Sequence, residues 1–299
     1  MSSVHCATSK QSLSCELINN VSINSEIFRL DFAWPGPAPR AGQFFMVRPK
    51  RSSVFLGRPL SVALWEPAAD DEEFVRKKVS GQRHSQQRHI TAKWLNSNSV
   101  KFLVARRGRG TKELSAMRID EEAELTGPLG NAWADFLPAA DERGNGKPIA
   151  LVGGGIGIAP LQALLGEMPD IGLVDFYAGF RTGFKNNEEE YGLLGSAVLE
   201  THKLIIATED GKKGLKGRIT DFLEAEKYRA VFACGPLPML RAVAVRCKTA
   251  GVPCFVSLER RMACGVGACL GCTVATVNGN RRCCADGPIF PAEELIFDE

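Results

Sequence analysis

The stretch Pro148-Ile149-Ala150-Leu151-Val152-Gly153-Gly154-Gly155-Ile156-Gly157-Ile158-Ala159-Pro160 decides the fold of the carboxyl-terminal half. Its apolar start suits a strand buried on both faces, and four glycines within residues 153–157 then force a tight turn. Helix-compatible residues follow over 161–167, and Pro160 fits a first helical turn. A strand that runs into glycines and opens a helix is the setting in which glycines bind a pyrophosphate. No Cβ keeps the anion from the backbone, and the free N–H groups of the helix start face it. The spacing is G-G-G-x-G-x-A-P rather than G-x-G-x-x-G. A bare strand-to-helix turn is the bland reading, but so dense a glycine run favours a bound nucleotide.

Working outward, strand runs at 172–177, 203–208 and 230–233 alternate with helical stretches such as 239–249. That alternation predicts a parallel sheet with helices on its faces. A second glycine turn, Ala233-Cys234-Gly235-Pro236-Leu237-Pro238-Met239, again follows a strand and precedes a helix. Ligands of parallel sheets sit at the carboxyl ends of strands, so both turns can face one crevice, with Cys234 near the reactive end of a dinucleotide. Arg181, just past the second strand, suits a 2′-phosphate, whereas an acid there would favour the unphosphorylated cofactor.

Upstream the texture changes to short strands with turn signals between them. Residues 25–32 alternate apolar and polar, 34–42 are rich in Pro and Gly, and 43–48, 60–65, 100–106 and 123–125 continue the pattern, which predicts a small β-barrel. Residues 68–99 interrupt it with a polar, increasingly basic run that reads as a solvated insertion between barrel strands rather than a docking patch. A polar linker at 141–147 separates barrel and sheet. Three turns in the barrel region carry chemistry. Gly57-Arg58-Pro59-Leu60-Ser61 offers a guanidinium for phosphate or an electron-rich flavin and a hydroxyl donor. Arg107-Gly108-Arg109-Gly110-Thr111 is a glycine turn at a helix start, where amides and the Thr111 hydroxyl suit a pyrophosphate. The third is Thr126-Gly127-Pro128-Leu129-Gly130-Asn131. Singly each reads equally as a β-turn, and their order along the chain is the stronger signal.

Composition narrows the class. The 299 residues suggest two domains with a small third, and 44% hydrophobic with 24% charged residues is ordinary for a globular chain. A net charge of +3 gives no argument for nucleic acid, no apolar run approaches the roughly 20 residues of a membrane helix, and the first ten residues lack a signal peptide's apolar core. A cytoplasmic location is therefore expected, where ten cysteines point to metal or catalysis rather than disulfides. Cys6, Cys15, Cys247 and Cys254 read as small buried hydrophobes. The tail is different: Cys264, Cys269 and Cys272 form C-x4-C-x2-C, with Cys283 and Cys284 further on. That is the plant-type [2Fe–2S] spacing, and Gly265, Gly267 and Gly271 let the loop's amides turn toward sulfur. Zinc loops more often use two short Cys pairs. Adjacent side chains point in different directions, so only one of Cys283 and Cys284 is expected to bind iron.

The order of barrel turns, glycine turn and Cys-Gly-Pro turn over about residues 17–256 resembles the ferredoxin-reductase-like flavoproteins. With the tail added, the chain resembles the electron-transfer subunits of NAD-linked dihydroorotate dehydrogenase B. The carrying residues are Arg58-Pro59-Leu60-Ser61, Gly153 to Pro160, Cys234-Gly235-Pro236, Glu259 to Cys272 and Cys284 to Phe290. The resemblance implies an FAD-binding antiparallel β-barrel (1–146, insertion 68–99), a parallel-sheet α/β NAD-binding domain (147–256) and a small [2Fe–2S] domain (257–299). It implies that Arg58, Pro59, Leu60 and Ser61 hold the isoalloxazine and ribityl side of FAD, and Gly110 and Thr111 its pyrophosphate. Gly153, Gly154, Gly155 and Gly157 cradle NAD, with Cys234 as catalytic residue and Gly235 beside it in the hydride pocket. A Cys-x-Asp-Gly-Pro segment supplies the last ligand in that family, which matches Cys284 beside Cys264, Cys269 and Cys272. The family passes electrons from an FMN-containing dihydroorotate dehydrogenase catalytic subunit, its partner in a heterotetramer, through the cluster and FAD to NAD in pyrimidine biosynthesis. No residue of this chain is assigned as a base toward dihydroorotate. The insertion and the extra Cys283 depart from the family pattern. An NAD(P)H:ferredoxin-type oxidoreductase subunit of the same architecture is the second reading, and a non-catalytic zinc-stabilised nucleotide sensor the third.

Overall fold

The computed structural model describes residues 10–68, 97–137, 146–168 and 170–297. Cys6, the leading residues, nearly all of the 68–99 insertion and most of the 141–147 linker lie outside the described residues.

Six strands form the amino-terminal unit: β1 (Gln11–Ser22), β2 (Ile27–Ala33), β3 (Phe44–Pro49), β4 (Arg58–Glu66), β5 (Ser99–Ala105) and β6 (Glu122–Leu129). They close into an antiparallel barrel in the order β1-β2-β5-β4-β3-β6. Closure leaves no free sheet edge, and alternate residues point inward. Leu17, Leu30, Phe32, Phe45, Val62 and Phe102 are fully or almost fully buried there, with Phe45 edge-on to Phe102 at 5.7 Å. Burying one such side chain contributes about 1.5–3 kcal/mol. A short helix, α1 (Arg109–Ser115), plugs the barrel with buried Leu114.

The second unit carries β7 (Ile149–Gly154), α2 (Ala159–Glu167), β8 (Val174–Phe180), α3 (Asn187–Leu199), β9 (Lys203–Thr208), β10 (Leu215–Lys216), β11 (Ala230–Cys234), α4 (Leu237–Ala250) and β12 (Cys254–Ser257). The tail adds β13 (Thr273–Thr276), β14 (Gly279–Arg282), the single turn α5 (Cys283–Asp286) and β15 (Ile289–Pro291). One sheet runs β10-β9-β8-β7-β11-β12-β15, parallel except for its last strand. The strand expected at 172–177 begins later, at Val174, because Ile171–Leu173 forms a 3-10 turn capped by Asp170. Helix α4 starts at Leu237 because Pro238 needs no hydrogen-bonded N–H in a first turn, and it stops at Gly251, whose φ of 66° suits glycine. Cys15, Cys247 and Cys254 are buried, as small hydrophobes should be.

Two joints tie the units together. Ala63 and Leu103 on the barrel's outer face bury against Ala159 and Leu193 of the sheet domain. The tail, expected as a separate piece, returns to the sheet: β15 pairs antiparallel with β12, Ser257 opposite Ile289.

Candidate functional site

Strands β7 and β11 lie side by side with Gly153 opposite Cys234, and the strand order reverses between them. Such a reversal opens a crevice at the carboxyl ends of the strands. Both glycine turns sit there in backbone contact. A Cβ on Gly157 would lie 2.4 Å from the Cys234 carbonyl oxygen, and one on Gly235 would lie 3.0 Å from the amide nitrogen of Gly154. A Cβ on Gly154 would meet Met239 Sδ at 2.6 Å. Gly155 differs: its φ is +55° and nothing lies within 4 Å of its missing side chain, so its backbone borders open space where a phosphate can approach.

Cys234 is only 2% exposed. Burial raises its thiol pKa well above the ordinary range, and nearby Glu259 adds to this against a hydrogen bond with Ser257. At neutral pH it is a thiol, a compact neutral group. Glu259 was quoted above only as part of the tail run, with no role. Glu259 lies just past β12 and is exposed, yet its charge acts on Cys234 and desolvation raises its own carboxyl pKa, opposed by Arg107. Arg107 comes from the barrel, Cys234 from the sheet and Glu259 from the start of the tail. Their convergence across three parts of the chain explains why spacing alone missed it.

On the barrel, β4 carries Arg58 to α1. A Cβ on Gly110 would lie 2.5 Å from Arg58 Nε, so the guanidinium rests on the backbone of the first helical turn. Arg58 Nη1 donates to the carbonyls of Leu56 and Gly57, both at 3.2 Å, which aims the group without neutralising it. Pro59 and Ser61 are half-buried neighbours on the same strand. The Leu60 side chain points into the barrel core at 8% exposure, which leaves its backbone as the part of this residue that can face a cofactor. The Thr111 hydroxyl is engaged within its own turn. It accepts from the amides of Arg107 and Gly108 at 3.0 and 3.1 Å and donates to the Gly108 carbonyl. It shapes the loop that presents Gly110.

The tail brings the loop of Cys264, Cys269 and Cys272 against Cys284 on α5. The amide of Val266 donates to Cys264 Sγ at 3.4 Å, that of Gly267 to Cys284 Sγ at 3.1 Å, and that of Cys284 to Cys272 Sγ at 3.4 Å. Gly265 and Gly267 have φ of +69° and +85°, which lets these amides turn inward. Through these amides Cys284 is tied both to Cys272 and to the loop that carries Cys264 and Cys269. Burial opposes ionisation of Cys264, but the amides of Val266, Cys269 and Ala268 and the Cys269 thiol outweigh it and bring its pKa to about 6. Cys283 points elsewhere: it is fully buried and its thiol donates to the Leu258 carbonyl at 3.3 Å. Among the described residues, no three His, Cys, Asp or Glu side chains converge on one point as a single zinc ion requires. Four cysteines at this spacing, three of whose sulfurs accept backbone amides, fit an iron–sulfur cluster. The loop also touches the barrel, since a Cβ on Gly265 would lie 2.5 Å from Met46 Cγ. Met46 pairs with Pro59, next to Arg58.

Residues 259–296 match the family described as the iron-sulfur cluster binding domain of dihydroorotate dehydrogenase B. The whole chain is similar to the dihydroorotate dehydrogenase B (NAD(+)) electron transfer subunit of Clostridium acetobutylicum, 34% identical over 95% of this chain and 97% of that one. The protein of the same name from Clostridium perfringens is 36% identical over 86% and 87%. In fold, the chain resembles an NADH-dependent reduced ferredoxin-NADP oxidoreductase (TM-score 0.67, 24% identity, 95% and 90% coverage). It also resembles a ferredoxin NADP+ reductase from Neisseria gonorrhoeae (TM-score 0.54, 17% identity, 84% and 94% coverage). Identity at this level across nearly the full length of both chains places this chain in the family of dihydroorotate dehydrogenase B (NAD(+)) electron transfer subunits.

Proposed function

We propose that the chain is the electron-transfer subunit of an NAD-linked dihydroorotate dehydrogenase, working with an FMN-containing catalytic subunit in a heterotetramer in the cytoplasm. The observation that carries this reading is the cysteine loop packed on Met46, the strand neighbour of the Arg58-Pro59 segment. When bound, the cluster supplies one-electron transfer, FAD converts between one and two electrons, and NAD accepts hydride.

The chain's own residues hold and aim these groups. Arg58 and the Gly110 turn bind the anionic part of FAD, and Ser61 donates to it from the same strand. Gly153, Gly154, Gly155 and Gly157 form the dinucleotide turn, with Gly235 closing it from β11. Buried Cys234 lines the hydride pocket as a neutral thiol and keeps water out, with Glu259 near it. Cys264, Cys269, Cys272 and Cys284 are the iron ligands. No residue of the site is assigned to take a proton from dihydroorotate, and the partner subunit supplies that base.

The test is anaerobic co-purification with the FMN-containing partner, followed by metal analysis, a visible spectrum and a dihydroorotate-to-NAD assay. Iron with acid-labile sulfide, bound flavin and NADH formation are expected. Zinc at the tail sulfurs, or no turnover from a fully loaded complex, overturns the reading.

A further inference from the structure

The Thr126–Asn131 segment has no part in the roles above, yet it carries a set of hydrogen bonds from barrel to tail. We propose that Asn131 is a positioning residue that clamps the segment after Cys284 to the barrel rim, and so sets the placement of the cluster relative to the flavin strand. The inference rests on the function proposed above.

The Asn131 backbone amide donates to the Gly287 carbonyl at 2.7 Å. Its side chain then imitates a strand neighbour. Oδ1 accepts from the Ile289 amide at 3.0 Å, and Nδ2 donates to the Ile289 carbonyl at 2.8 Å and to the Asp286 carbonyl at 3.4 Å. Gly130, with φ of +79°, makes the approach possible, because a Cβ there would lie 2.6 Å from Pro288 Cδ and 2.8 Å from the Gly287 oxygen. A second contact from the same rim reaches the start of the cluster loop: the missing Cβ of Gly265 faces Met46 Cγ at 2.5 Å and Leu129 Cδ1 at 3.1 Å. The rim thus grips the tail beside its first cysteine and just past its last. Met46 and Leu129 belong to β3 and β6, which pair with each other, and β3 also pairs with β4, the strand of Arg58. Hydrogen bonds from one amide side chain to both polar groups of Ile289 fix direction as well as distance, which apolar packing does not.

Electron transfer falls steeply with separation, so a loosened clamp slows the flavin-to-cluster step without touching hydride transfer to flavin. The test uses the full chain carrying FAD and cluster. Asn131→Leu keeps the side-chain size and removes all three side-chain hydrogen bonds. With iron, sulfide and flavin contents as in the wild type, stopped-flow reduction of FAD by NADH is expected unchanged, and cluster reduction roughly tenfold or more slower. Hydrogen exchange at the Ile289 amide rises, and the visible circular dichroism of the cluster changes. Wild-type cluster reduction in Asn131→Leu overturns the inference. Should that variant lose its cluster, Asn131→Asp decides, since it keeps the acceptor for Ile289: slowed cluster reduction supports the clamp and a wild-type rate overturns it. Loss of the cluster from both variants also overturns it, because the residue would then build the site rather than place it. A wild-type chain without iron–sulfur or without NADH-reducible flavin instead defeats the underlying function, and shows this before any variant is made.

Discussion

Cys283 and Cys284 stand side by side, and the structure assigns them opposite surroundings. Cys284 Sγ receives the Gly267 amide inside the cysteine loop, while the Cys283 thiol donates to Leu258 in the core. We expect Cys283→Ala to keep full iron and sulfide and to lose about 1 kcal/mol of stability from a small buried cavity and one hydrogen bond. Cys284→Ala should lose the cluster. Metal analysis beside thermal unfolding separates the two, and equal iron loss in both variants would refute the assignment. At this scale the sequence was half legible. The C-x4-C-x2-C spacing identified the loop, because ligand separation is encoded in spacing. Which of two adjacent thiols turns inward depends on the turn geometry of α5, which spacing does not carry.

Elements show where local pattern suffices and where it does not. Strands β7 and β11 were legible because buried parallel strands read as unbroken apolar runs. Helix α3 was not, since non-helical Gly195 (φ 72°) interrupts it and its amino-terminal turn is three consecutive glutamates with little apolar periodicity. Strand β15 is three residues long and exists only through pairing with β12, a partner distant in sequence. Asn131 was quoted without a role for the same reason: its partners lie 155 and 158 residues further on. The meeting of β4 with α1 carries its own consequence. Arg58 lies flat on Gly110, with hydrogen bonds to two backbone carbonyls, an arrangement that keeps its charge for an anion. Arg58→Ala removes a charge-assisted contact of about 1.5–3 kcal/mol, so FAD should bind roughly tenfold to a hundredfold more weakly. Fluorescence titration of flavin into the apoprotein measures this, and an unchanged affinity would remove Arg58 from the FAD site. Iron content should stay as in the wild type, because among the described residues the Arg58 guanidinium bonds to the Leu56 and Gly57 carbonyls and to no tail cysteine.

At the scale of the molecule, three differently built parts meet at one junction. The glycine-turn crevice is built by β7 and β11, the Arg58 segment rests between β4 and α1, and the sulfur loop belongs to the tail. Only the last depends on thiolates, so the two halves of the reaction should be separable by one substitution. Cys272 is 2% exposed and packs in the same core cluster as Met46, Leu129 and Cys284. We expect Cys272→Ala to lose the cluster yet keep FAD, and NADH should still bleach the flavin at close to the wild-type rate. Electron exchange with the catalytic partner subunit should fall to background, because the cluster is the one-electron carrier of the proposed path and Cys269 is the exposed cysteine of its loop. The variant should also melt at a lower temperature, since a cluster held by four side chains of the tail fastens a segment that otherwise relies on Gly265, Asn131 and β15. Stopped-flow flavin reduction and the dihydroorotate-to-NAD assay with the partner read the two halves independently. If both rates collapse while FAD remains bound, the cluster is not a separate stage of the path, and the division of labour among the three parts is wrong.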